Sequence, residues 1–107
     1  MQTQQLIAFV VDKIDDMKAK DIVQLDVKGK STETECMVVC SGTSNRHTRS
    51  VAAYLIQEAK KAGLHILGVE GEKSGDWVLV DLGEVVVHVM LDESRGFYQL
   101  GLQLHSF

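Results

Sequence analysis

The chain has 107 residues, 45% of them apolar and 24% charged, with a formal net charge of −4 at pH 7. That length makes one domain burying roughly two thirds of its unfolded surface, and the composition is globular rather than disordered. The negative balance argues against gripping a nucleic-acid backbone by charge alone, and no apolar run reaches the about 20 residues of a membrane span.

Thr3 can cap a helix over roughly 4–18, in which Ile7, Val10, Val11, Ile14 and Met17 recur at helical spacing. Asp12, Lys13, Asp15, Asp16 and Lys18 line its outer side. No signal peptide precedes residue 6, and the acidic 12–16 stretch argues against an Arg-rich transit peptide, so a cytoplasmic protein is expected. Residues 22–28 alternate as a strand, with Val23, Leu25 and Val27 on one side. A polar loop, 28–35, leads to Cys36–Ser41, a short strand apolar on both faces and therefore central in its sheet. Cys36 and Cys40 are the only cysteines. Four strand residues span about 13 Å, well beyond disulfide reach, so both read as small buried hydrophobes.

Gly42-Thr43-Ser44-Asn45 then turns into a helix of about 45–62, ended by Gly63 at its C′ position. Leu64–Glu70 is the third strand, and Gly71–Asp76 a loop bracketed by glycines. Residues 77–90 form a hairpin with Gly83 at the first central position of a II′ turn, which fixes the register. In that register Leu82 faces Val85, Val80 faces Val87 and Val78 faces Val89, an all-aliphatic core face. The other face pairs Trp77 with Met90, Leu79 with His88 and Asp81 with Val86, a mixture typical of a surface that meets a partner. Asp92 can cap a last helix carrying Phe97, Tyr98, Leu100 and Leu102. Five strands and about three helices in the order αββαβββα make a two-layer α/β domain with a mixed sheet.

The most enzyme-like segment is Ser41-Gly42-Thr43-Ser44-Asn45-Arg46-His47-Thr48-Arg49. A strand, a small-residue turn and a helix start can cradle an anion, and Arg46 and Arg49 add charge. It lacks the P-loop spacing and the dinucleotide-binding glycine pattern. It resembles the glycine-serine turn of the nucleotidyltransferase fold, whose metal-binding acids follow on a strand about a dozen residues onward. The corresponding stretch, Ala52-Ala53-Tyr54-Leu55-Ile56-Gln57, carries no acid, so nothing there would hold magnesium against the charge of phosphoryl transfer. A capped helix start with solvated arginines is the ordinary reading, and a nucleotide- or phosphate-binding enzyme built on the Gly42 turn is the alternative. A zinc site from Cys36, Cys40 and His47 has little support, since the four histidines, His47, His65, His88 and His105, form no ligand pair. No metal or cofactor is expected. Asp81 and His88 are a diagonal pair suited to a structural hydrogen bond. Trp77, the only tryptophan, fits an interface anchor, with Met90 adding adaptable contact area and Lys73, Ser74 and Asp76 a polar rim.

Three segments carry a resemblance to a known family: Met37-Val38-Val39-Cys40-Ser41-Gly42-Thr43-Ser44-Asn45-Arg46-His47, the run from Gly75 to Met90, and Arg95-Gly96-Phe97-Tyr98-Gln99-Leu100. They resemble the bacterial ribosomal silencing factor (Iojap-related) family, over about residues 5–102. The Trp-Val-x-x-Asp-x-Gly pattern, followed by Val-Val-His-Val, is its most specific part. The resemblance implies a nucleotidyltransferase-like fold without catalytic acids and a role that is not enzymatic. It implies binding to the large ribosomal subunit at ribosomal protein fourteen, steric blocking of small-subunit joining, and reduced translation when nutrients are scarce. By the same resemblance Lys73, Asp76 and Trp77 match the partner-facing loop and strand, Tyr98 the aromatic of the final helix, and His88 and Met90 the shared hairpin. Homodimerisation through the mixed face is a further, weaker reading.

Overall fold

The computed structural model describes residues 1–29 and 33–95. Helix α1, Thr3–Asp16, buries Leu6, Ile7, Val10 and Ile14. Thr3 is its first residue and not its cap. Gln2 holds the cap position, and its N–H donates to Gln5 Oε1 at 2.9 Å, while the Thr3 hydroxyl donates to Glu84 at 3.0 Å. The helix stops before residue 18 because Lys18 turns into the left-handed region at φ 61°.

Strand β1, Lys20–Asp26, begins and ends two residues earlier than the alternation suggests. Its register against the next strand slips between Lys20 and Val23, where Asp21 sits at φ 50°. Alternation along the strand turns Ile22 toward the helices and leaves Leu25 and Val27 on the opposite face. Strand β2, Cys36–Gly42, is buried at every position. It pairs with β1 on one side and with the last strand on the other, the central place its two apolar faces require.

Helix α2, Asn45–Lys61, is capped by Ser44, whose side chain accepts the His47 N–H at 3.1 Å. It closes at Gly63, φ 77°, where Gly63 N–H reaches Lys60 O and Leu64 N–H reaches Ala59 O. The Leu64 amide is thus held by the helix end, Leu67 N–H donates to Asp81 O at 2.8 Å, and the next strand is β3, Gly68–Glu70, shorter than the expected 64–70. Strand β4, Trp77–Asp81, and strand β5, Val85–Leu91, complete the hairpin. Its register is the expected one at Trp77–Met90, Val78–Val89, Leu79–His88, Val80–Val87 and Asp81–Val86. Gly83 has φ 88° and the residue after it does not share that sign, as a II′ turn requires. Residues 92–95 start a third helical segment. Tyr98 and the rest of the expected final helix lie outside the described residues.

The five strands form one mixed sheet in the order β1-β2-β5-β4-β3, antiparallel except for the β2–β5 pair. Both long helices pack on one face. There Val10, Ile14, Val51, Leu55 and Ala59 meet Cys36, Val38, Cys40, Val78, Val80, Val85, Val87 and Val89. Burial pushes the Cys40 thiol up to about 12, so it stays protonated and serves as a core side chain. Neither long helix covers the second face, which holds Val27, Met37, Val39 and Met90. Among the described residues no helix is long and apolar enough to cross a membrane.

Candidate functional site

The second face and the loop at its margin gather most of the residues singled out in the sequence. Strand pairing sets Trp77, Met90 and Ser41 in one cross-sheet row, and Glu70, Leu79, His88 and Val39 in the next. Trp77 is 39% exposed, whereas His88 at 2% and Met90 at 0% are covered. His88 and Met90 therefore lie beneath the surface and support it, instead of supplying the direct contact area expected of them. The indole N–H of Trp77 donates to His88 Nδ1 at 2.9 Å, with ring centroids 5.8 Å apart and tilted by 51°. Burial lowers the His88 pKa to about 4, so the imidazole is neutral and its Nδ1 lone pair is available to the indole. The expected Asp81–His88 link gives way to another arrangement: the Asp81 carboxylate accepts the Gly83 N–H at 2.8 Å and fixes the turn.

Lys73 and Asp76 are exposed on the loop that leads into Trp77. This loop turns on Gly71 at φ 81° and Gly75 at φ 76°. At Gly71 a Cβ would stand 1.9 Å from Trp77 O, so only glycine permits the chain to pass so close to the strand it is about to enter. From α2, Asn45 Nδ2 donates to Ser74 O at 2.8 Å and to the Asp76 carboxylate. Thr48 Oγ1 donates to Gly75 O, and Arg49 Nη1 reaches Ser74 O at 3.2 Å and Lys73 O at 3.4 Å. The far end is tied as well, because Leu91 N–H donates to Asp76 O at 3.0 Å.

A recess of about 230 Å³ in the same face is lined by Val27, Thr34, Met37, Glu70, Leu79, Asp81, Val86 and His88. Glu70, Met37 and Val27 were missed in the sequence because they join through β3, β2 and the end of β1, none of which a hairpin reading includes. The alternation that sets Val27 with Leu25, and Met37 with Val39, was the signal available.

The Gly42 turn is organised differently from an anion cradle. The Thr43 N–H donates to His47 Nδ1 at 3.0 Å, and the His47 N–H is taken by Ser44. His47 Nε2 donates to Met17 O at 2.7 Å, which ties the turn to the end of α1. Two amides that an anion would need are already engaged, and Arg49 faces the 71–76 loop. The stretch 52–57, matched above to an acid-bearing strand, lies inside α2. Cys36 and Cys40 lie in the helix-side core, and among the described residues no three His, Cys, Asp or Glu side chains group to hold a metal. Arg95, 6% exposed, donates to Ser41 Oγ at 2.7 Å beside the row that starts at Trp77.

Fold and site together define a small two-layer α/β domain that presents an indole and a glycine-hinged loop at one margin of its sheet. The family profile described as "Ribosomal silencing factor during starvation" matches residues 1–102. The chain is 45% identical over 95 residues to a ribosomal silencing factor, RsfS, of Haemophilus influenzae, covering 89% of this chain and 93% of that protein. A crystal structure of a Chromobacterium violaceum protein superposes with a TM-score of 0.91 at 39% identity, covering 96% of this chain and 86% of that one. A mouse protein named "Mitochondrial assembly of ribosomal large subunit protein 1" is 35% identical over 85 residues, 77% of this chain and 37% of its own length. The chain belongs to the ribosomal silencing factor family.

Proposed function

We propose that this chain represses translation by docking onto the large ribosomal subunit and standing where the small subunit would join. Ribosomal protein fourteen is the contact, Trp77 the central anchor, and Lys73 and Asp76 its polar rim. The observation that carries this reading is the pose of Trp77: a large side chain, 39% exposed, fixed from below by a hydrogen bond to buried His88. Aromatic side chains that are both exposed and immobilised bind with little further entropy loss, which is the character of interface hot spots. The family's printed name supports a ribosomal target, and the large-subunit name of the mouse relative supports the choice of subunit. Tyr98 is assigned the second anchor on the strength of the resemblance.

The mechanism needs no covalent chemistry. A chain of net charge −4 gains nothing by competing for RNA phosphates, whereas a basic ribosomal protein is an electrostatically favourable site in the cytoplasm. Once docked, bulk in the joining interface is enough, and subunits kept apart do not translate when nutrients are scarce.

Co-sedimentation with purified large and small subunits tests the reading. The wild-type chain should pellet with the large subunit alone, and Trp77→Ala should weaken binding by about 2 kcal/mol, some thirtyfold in Kd. A folded Trp77→Ala, Tyr98→Ala chain that binds as well as wild type would overturn it.

A further inference from the structure

Asn45, Thr48 and Arg49 belong to the motif that looked most like an anion cradle, and docking leaves that motif without a task. Three hydrogen-bond donors within the first turn of α2 point at the 71–76 loop. Asn45 bridges Ser74 O and the Asp76 carboxylate, Thr48 bonds Gly75 O, and Arg49 spans Lys73 O and Ser74 O. Each of the loop positions 73–76 therefore has a backbone carbonyl or side chain held by α2. The loop is shaped for this contact. A Cβ at Gly75 would lie 2.7 Å from Asn45 O, 3.0 Å from Thr48 Oγ1 and 3.1 Å from Arg49 Cγ, at a backbone φ of 76°. The loop backbone thus rests directly on the first turn of the helix, with no room for a side chain between them. Thr48 is fully buried and its hydroxyl also reaches Asn45 O at 2.8 Å, so its position is fixed from the helix side.

We propose that Asn45, Thr48 and Arg49 are positioning residues for the docking surface: they latch the 71–76 loop to α2, so that Lys73, Asp76 and Trp77 meet the partner already in their bound arrangement. This rests on the docking reading above. The physical basis is entropic. A six-residue segment with two glycines samples many conformations when untethered, and a partner that had to order it would bind more weakly. Trp77 itself begins β4, but the direction from which the chain enters that strand is set by the latched loop. The same motif that resembles a phosphate-binding turn then has a protein-internal ligand: the carbonyls of its own docking loop.

The experiment compares Asn45→Ala, Arg49→Ala and Thr48→Val in the full chain, with Thr48→Ser as the conservative variant that keeps the hydroxyl. Three quantities are read: amide hydrogen exchange of residues 72–77, large-subunit binding by co-sedimentation, and the thermal midpoint. Loss of the latch should speed exchange in 72–77 by about tenfold or more while exchange in β2 and β5 holds. Binding should weaken by about tenfold in the same variants, and Thr48→Ser should restore both. Asn45→Ala and Arg49→Ala change solvent-side contacts, so they keep the test alive if Thr48→Val does not fold. Fast loop exchange with wild-type binding would overturn the latch while leaving docking intact, provided Trp77→Ala still binds poorly. Unchanged exchange in all three variants would also overturn it. If Trp77→Ala binds normally, the docking reading fails first, and the exchange data then report on the loop alone.

Discussion

The indole N–H of Trp77 meets His88 Nδ1 at 2.9 Å, and that acceptor exists only while the imidazole is neutral. In an unfolded chain the imidazole takes up its proton near pH 6.5, whereas burial holds the folded value to about 4. Between those values the unfolded state binds more protons, so acid favours unfolding. The His88 contribution is complete above pH 6.5, is lost as pH falls toward 4, and changes no further below that; it amounts to about 3 kcal/mol at most. Urea denaturation at a series of pH values should show this slope in wild type and not in His88→Gln, which keeps an acceptor and loses the titration. Parallel pH profiles for the two proteins would place the acid sensitivity elsewhere. The Leu79–His88 pairing was legible from the hairpin register, but the depth of His88 was not. It is buried partly because β2 lies along the other side of β5, with Val39 opposite it. That parallel pairing joins segments about fifty residues apart, and no local pattern encodes it. The same holds for Met90, which reads as an exposed contact residue until Ser41 is found beside it.

Elements were read best where their ends carry their own chemistry. Helix α2 runs over 45–61, against the expected 45–62, and closes at Gly63 as expected, because a residue tolerant of positive φ is visible in the sequence; Ser44 supplies the side-chain oxygen for its first orphan amides. Removing the cap with Ser44→Ala should cost about 1 kcal/mol, seen as a lower urea midpoint with an unchanged slope; a shift within error would mean that His47 and Thr43 hold the turn without it. Helix α1 was read less well. Thr3 looked like its cap, yet the Gln2–Gln5 contact moves the start forward and frees the Thr3 hydroxyl for Glu84 across the fold. Strand β1 was displaced for a different reason. Its alternation is sound from Val23 onward, but Lys18 and Asp21 both adopt positive φ, and no glycine or asparagine marks either position. Strand β3 is shorter than its apolar run because the run begins inside the closure of α2, where the Leu64 amide bonds Ala59 O, an overlap that periodicity does not mark.

Over the whole molecule the two faces of the sheet divide the work. One is filled by α1 and α2 and gives the domain its stability; the other, with the 71–76 loop and Trp77 at its margin, is the surface proposed above to meet the ribosome. The sequence separated these faces through the aliphatic and mixed sets of one hairpin, and the sheet order then extended each set across all five strands. The net charge of −4 belongs to this scale too, since no single pair accounts for it. Long-range attraction to a basic ribosomal protein should raise the encounter rate and be screened as salt shortens the Debye length, from about 10 Å at 0.1 M to about 3 Å at 1 M. Trp77 is the only tryptophan and provides the signal for stopped-flow mixing with an isolated ribosomal protein fourteen that lacks tryptophan. The association rate constant should fall about tenfold or more over that salt range, while the dissociation rate, governed by the short-range seat of the indole, should change little. A rate constant indifferent to salt would remove electrostatic steering from the mechanism and leave shape as the sole basis of recognition. A rate constant that rises with salt would mean that the approach is made against like charge, toward the RNA, and that the partner has been misassigned.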